Sequence, residues 1–185
     1  MVSHMVLSDG QIRERIERDS IIIDPFIGNN VEPASVDLRL GDEFREITGA
    51  SHKPVVDTHD NEKALRYSAQ TDEITLQPED FVLATTLERV ELPDDIAANV
   101  LGRSSLGRLG ISIHQTAGWV DPGFKGEVVL ELSNHGPVPV RLHSGDRIAQ
   151  IVFHELEEPV ERPYGHSGSQ YQNQSGATPS GMKFD

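Results

Sequence analysis

Val36, Leu38 and Leu40 alternate with Asp37 and Arg39, the two-residue period of a strand with one buried face. Gly41 stands where that strand is expected to stop. Ahead of it, Ile12 and Ile16 lie four apart within residues 9–18, one face of a short helix, and Ser8 followed by Gln11 makes a capping box at its start. The β-branched run 21–23 is soon ended by Pro25. Residues 48–73 are polar with little period, which predicts an extended insertion or a flexible loop. Strand patterns then follow at 74–76, 81–86, 87–91, 111–114, 127–132, 138–142 and 147–156, punctuated by Pro78 and Pro93. Residues 104–109 have room for one or two helical turns. Short strands between Gly/Pro turns, with few helices, predict an all-β sandwich or barrel. Residues 1–4 read as a remnant ahead of a start at Met5, and 5–163 as one domain. From Tyr164 the composition turns to Gly, Ser, Gln and Asn, which predicts a mobile tail over 164–185.

Composition narrows the function. The 185 residues, 36% hydrophobic and 25% charged, suit a soluble globular domain. No apolar run reaches the length of a membrane span and no signal-peptide pattern opens the chain, so a cytoplasmic protein is expected. The absence of Cys excludes disulfides, thiolate nucleophiles and thiolate-bound zinc. A net charge of −14 argues against a general nucleic-acid binder. The acidity reads either as salt adaptation or as an ordinary solvated surface. A chain this acidic needs local cations to accept an anionic ligand, which draws attention to Arg103, Arg108 and Lys125.

Three motifs carry chemistry. Gly102-Arg-Ser-Ser-Leu-Gly107-Arg108 has the glycine spacing of a phosphate-binding loop but lacks the Lys and the Ser/Thr that complete it, and its setting is β-rich. Its hydroxyls and amides beside two arginines can still hold phosphate oxygens. The plainer alternative is Ser104 as an N-cap with the arginines in surface ion pairs. In the strand 127–132, Val128, Leu130 and Leu132 share one face and Glu127, Val129 and Glu131 the other. Glu131 is then either solvated, paired, or placed for proton transfer. Asp121-Pro122-Gly123 serves a turn or a site. The eight histidines show no metal-binding pairing.

Together with Leu7-Ser8-Asp9, Pro33–Gly41, Thr116–Gly126, Pro163-Tyr164 and Tyr171–Gln174, these motifs resemble the dCTP deaminases, which share the dUTPase-like fold. The resemblance implies a homotrimer of distorted β-barrels, or a pair of trimers, with active sites between subunits and Mg²⁺ carried mainly by the substrate phosphates and water. It implies deamination without zinc, whereas the zinc cytosine deaminases need Cys ligands. In that scheme Glu131 shuttles the proton, and Ser104 and Arg108 position water and stabilise developing charge. Arg103 and Ser105 hold phosphates, with Leu106 and Gly107 beside them. Thr116, Ala117, Trp119, Val129 and Leu130 surround the base, and Phe124 packs near the deoxyribose. The tail closes through Tyr164, Gln170 and Gln174.

Two departures refine the expectation. Gln170 stands where many members have a Lys, which removes an ammonium–phosphate contact. Gly118-Trp119, with Gln150 downstream, replaces the His-Arg pair of deaminases that stop at dUTP. It resembles the bifunctional subgroup that yields dUMP and diphosphate, with Asp121 beside the second attacking water. The alternatives are a deaminase releasing dUTP, a dUTPase only, or a non-catalytic nucleotide sensor.

Overall fold

The computed structural model describes residues 5–47, 65–166 and 169–180. Its elements in chain order are β1 (Met5–Val6), α1 (Asp9–Glu17), β2 (Ile22–Asp24), β3 (Val31–Glu32), β4 (Ser35–Ile47), β5 (Leu65–Gln70), β6 (Glu73–Leu76), β7 (Phe81–Glu91), β8 (Ile96–Gly102), α2 (Ser104–Gly107), β9 (Ile111–Ser112), β10 (Trp119–Val120), β11 (Lys125–Asn134), β12 (Val140–His143) and β13 (Arg147–Glu155). The main sheet runs β10-β8-β13-β4-β7-β11-β9, and β6 pairs with β12 apart from it. The pairings between these strands are all antiparallel, so the expected all-β architecture is observed.

β4 is where the sheet curls. Its first half pairs with β13, Val36 opposite Ile151 and Leu38 opposite Ala149. Its second half pairs with β7, Phe44 opposite Ala84, after a register shift between Leu40 and Phe44. Gly41 sits in that shift and does not end the strand, contrary to the sequence expectation. A Cβ there would stand 2.8 Å from Thr85 Oγ1 and 3.2 Å from the Thr85 carbonyl oxygen. The glycine marks a close backbone crossing, one of the two readings a strand glycine allows.

The runs 81–86 and 87–91 are one strand, β7, in which residues 82–86 are all buried. β8 was not legible as a strand because Ile96, Ala97 and Ala98 are buried in succession and leave no alternation. The helix and its capping box form as expected: Ser8 N–H donates to Gln11 Oε1 at 3.0 Å, and Ile12 is fully buried. One apolar cluster joins Leu38, Leu40 and Phe44 of β4 to Leu130 and Leu132 of β11 and Ile151 and Phe153 of β13. Truncating a fully buried leucine such as Leu130 would cost about 2–5 kcal/mol.

Of the weakly patterned region 48–73, residues 48–64 lie outside the described residues, while 65–70 and 73–76 are strands. The described residues of the tail are hydrogen-bonded to the body of the fold. Tyr164 N–H donates to the Pro122 carbonyl at 2.7 Å, Asn173 N–H to the Lys125 carbonyl at 2.7 Å, and Glu127 N–H to the Gln174 carbonyl at 3.1 Å. Its polar side chains and carbonyls find partners along β11, which composition alone does not show. Among the described residues no helix is long and apolar enough to cross a membrane.

Candidate active site

β11 and the chain on either side of β10 enclose a cavity of about 530 Å³, and tail residues form one wall. Glu131 reaches it because β11 alternates: Leu130 and Leu132 turn into the core while Glu131, half-buried, faces the opposite way. The strand is bent upstream by a bulge between Glu127 and Val129, where Val128 N–H donates to Thr86 Oγ1 at 3.0 Å. Glu131 is held on two sides. Its own N–H donates to the Ile113 carbonyl at 2.9 Å, and its Oε2 accepts the Gln115 backbone N–H at 2.8 Å. It is therefore neither freely solvated nor consumed by an ion pair among the described residues.

Across the cavity, Trp119 Nε1–H donates to Asp121 Oδ1 at 2.9 Å, and the indole stacks on His154 with ring centroids 6.0 Å apart. That fixes the carboxylate of Asp121, an exposed residue of the cavity lining. Phe124 packs against Tyr164 at 6.0 Å between ring centroids, and the Tyr164 hydroxyl accepts the Tyr171 N–H at 3.2 Å. Ala117, Val129, Leu130 and Gln174 complete the expected residues that line the space. His114 also lines it, with Nδ1 buried and no hydrogen-bond partner, and nothing in the sequence assigned it. Gly118 leaves it room: a Cβ there would meet the Val100 carbonyl oxygen at 2.6 Å and His114 Nε2 at 3.2 Å.

The phosphate loop lies elsewhere. None of Arg103, Ser104, Ser105, Leu106, Gly107 and Arg108 lines the cavity, and neither do Thr116, Gln150 or Gln170. Arg103, not Ser104, is the N-cap of α2, with no side-chain capping bond. Its guanidinium stands 3.3 Å from Asp37 Oδ2, which also accepts from Arg147 Nη1 at 3.3 Å. Burial pushes the Asp37 carboxyl above its usual range, against the pull of Arg103 and Arg147. Gln150 ties β13 to the start of the loop, donating to the Gly102 carbonyl at 3.4 Å. Ser104, Ser105 and Arg108 are exposed, flanked by the exposed apolar Leu101 and Leu109.

Residues 6–156 match the family described as dCTP deaminase-like. The chain belongs to the dCTP deaminase-like family. A protein of Methanosphaera stadtmanae named "dCTP deaminase, dUMP-forming" is 45% identical over 97% of this chain and 95% of its own length. A Halobacterium salinarum protein of the same name is 47% identical over 98% and 96%. One of Natronomonas pharaonis named "dCTP deaminase" is 48% identical, again over 98% and 96%. The crystal structure of a 2'-deoxycytidine 5'-triphosphate deaminase from Agrobacterium tumefaciens superposes with a TM-score of 0.66 at 26% identity, over 83% of this chain and 49% of that one.

Within this family the division of the residues has a chemical sense. One group, around Glu131, offers a fixed carboxylate in a mostly apolar cavity suited to a base and sugar. The other, around α2, offers exposed hydroxyls and arginines suited to phosphates. Among the described residues no group of three or more His, Asp or Glu is placed to hold a metal ion. Asp121 supplies a single carboxylate to the cavity lining. This donor set fits a hard divalent cation that arrives with most of its oxygen ligands already on the triphosphate and water.

Proposed function

We propose that this protein hydrolytically deaminates dCTP without zinc and then cleaves the triphosphate, giving dUMP, ammonia and diphosphate. The observation that carries the reading is the half-buried Glu131, its carboxylate fixed by the Gln115 N–H at 2.8 Å on the wall of a cavity with room for a base and sugar. The names of the Methanosphaera and Halobacterium relatives support the product.

Water adds to cytosine C4 while Glu131 takes one of its protons. That proton goes to N3; the proton of the new C4 hydroxyl then passes through Glu131 to the amino nitrogen, the C4–N bond breaks, ammonia leaves, and the C4 oxygen becomes the uracil carbonyl. Phe124 and Val129 form the apolar floor on which base and sugar rest, and Gln174 and Tyr164 close one side. Asp121, held by Trp119, receives the second water for attack on the triphosphate, with dUMP and diphosphate as products. Mg²⁺ bound to the phosphates would neutralise part of their charge, and Asp121 is the residue that would hold one of its waters.

Because no residue of α2 lines the cavity of its own chain, we assign Ser104, Arg108 and the phosphate-holding Arg103 and Ser105 to the site of a neighbouring copy. The assembly in this reading is a homotrimer, and the exposed Leu101 and Leu109 beside α2 suit a face that a second copy covers. The activity would serve the supply of dUMP, a dTTP precursor, in the cytoplasm.

The decisive experiment incubates the protein with dCTP and Mg²⁺ and follows ammonia, dUTP, dUMP and diphosphate. Ammonia with dUMP and diphosphate is expected. Ammonia with dUTP accumulating would leave a deaminase alone, diphosphate from dUTP without ammonia from dCTP a dUTPase alone, and binding without turnover a sensor.

A further inference from the structure

The tail is fastened to the body by one carboxylate above all. Glu127 lies on β11, four residues before Glu131, beside the bulge. Its Oε1 accepts the Ser175 hydroxyl at 3.0 Å and its Oε2 accepts the Gly176 N–H at 2.7 Å. The main chain adds two bonds: Glu127 N–H to the Gln174 carbonyl at 3.1 Å, and Gln174 Nε2–H to the Glu127 carbonyl at 2.8 Å. One residue later, Ala177 N–H donates to Glu43 Oε1 at 3.1 Å, and the Ala177 side chain is fully buried. Gly176 is at φ +71°, where a side chain is strained, and a Cβ there would run into the Glu43 carboxylate.

Gln174 and residues 178–180, on either side of this fastening, line the cavity, while Glu127 itself does not. We propose that Glu127, assisted by Glu43, is a positioning residue: its carboxylate latches residues 175–177 and thereby sets the tail wall against which the nucleotide binds. The inference rests on the deaminase reading only for what the wall contacts. The latch itself is a property of the free protein. Both bonds to the carboxylate are charge-assisted and cost the tail little order, because the chain is already tied at Asn173.

The test compares Glu127→Ala, Glu127→Gln and Gly176→Ala in the full-length protein. Gly176→Ala attacks the latch from the tail side and leaves β11 untouched, so it keeps the test open should Glu127→Ala fold poorly. Amide hydrogen exchange at residues 174–177 is measured without nucleotide, and KM and kcat for dCTP with it. Glu127→Ala and Gly176→Ala are expected to speed exchange at those amides and to raise KM roughly tenfold, the loss of one to two such bonds, with kcat changed far less. Glu127→Gln, which keeps an acceptor, is expected to fall between them and the unaltered protein. Unchanged exchange overturns the latch. Faster exchange with unchanged KM overturns the positioning role and leaves a structural tie. If the unaltered protein does not turn over dCTP, the deaminase reading fails while the latch stays testable. KM is then replaced by the dissociation constant of whichever nucleotide binds: a weaker constant in the variants supports the positioning role, and an unchanged one overturns it.

Discussion

The Gln115 backbone N–H lies 2.8 Å from Glu131 Oε2, joining residues sixteen apart in the chain. A main-chain donor fixes the carboxylate's direction without supplying a countercharge. Glu131→Gln offers the same N–H an amide oxygen and should keep the fold, the assembly and the melting temperature. Ammonia release from dCTP should fall by about 10²–10⁴, the usual worth of a general base. Retained deamination in a coupled ammonia assay would refute Glu131 as the proton carrier.

The separation of α2 from the cavity makes a second expectation. Arg108→Ala and Glu131→Gln should each be inactive alone. When the two are co-expressed with different tags and the mixed trimers isolated, sites pairing an intact Arg108 from one copy with an intact Glu131 from its neighbour re-form. Each mixed trimer, with two copies of one variant and one of the other, would hold one whole site in three, and activity should return to about a third of the unaltered level. Mixed trimers without activity would mean that both residues serve the same chain's site.

What the sequence could and could not disclose follows from what each residue needs in order to be read. Val128, Leu130 and Leu132 point inward as their alternation requires, so the direction of Glu131 was legible from period alone. Ser8 and Gln11 form their capping box because that motif is local. β8 was hidden because burial on both faces erases the period, and β7 read as two strands for the same reason. The cavity wall made by Tyr164 and Gln174 could be named only through family resemblance, since its polar residues look like any solvated tail until β11 supplies partners. His114 was missed because an unpaired histidine carries no pattern; its closeness to Gly118 exists only in three dimensions.

Gly41 offers a direct check on the curl of the sheet. Alanine at this position would press its Cβ to within 2.8 Å of Thr85 Oγ1 and 3.2 Å of the Thr85 carbonyl oxygen. Rotation of the threonine can relieve the first contact, whereas the second is to the backbone of β7, which pairs with β11 through Thr85 and Val129. Overpacking of this kind costs about 1–3 kcal/mol, or a melting temperature lower by roughly 2–12 °C for a chain of this size. A melting curve for Gly41→Ala that overlays the unaltered protein would show that the β4–β7 crossing yields easily.

Lys125, one of the cations the sequence offered to an anionic ligand, is instead paired within the fold: its Nζ stands 3.3 Å from Glu91 Oε2, and Arg89 Nε stands 3.0 Å from Glu91 Oε1. Burial pushes the Glu91 carboxyl up, but the hydrogen bonds and charges of Arg89 and Lys125 outweigh it and hold the group below its ordinary value of 4.5. A carboxyl with a lowered folded-state pKa binds fewer protons folded than unfolded just below that value. Its contribution is therefore complete above the ordinary value and is lost as pH falls through the lowered one. Glu91→Gln should melt about 2–4 °C below the unaltered protein near neutral pH, the worth of roughly 1 kcal/mol. The gap should hold down to about pH 5 and narrow progressively below about pH 4.5. Asp37 carries the opposite sign, since burial raises its carboxyl: its contribution is complete in acid and lost as pH rises. The gap between Asp37→Asn and the unaltered protein should thus move in favour of the asparagine variant as pH rises, while that of Glu91→Gln moves against the glutamine. Parallel trends for the two variants in melting scans from about pH 3.5 to 7 would contradict the assigned partners of at least one of these carboxylates.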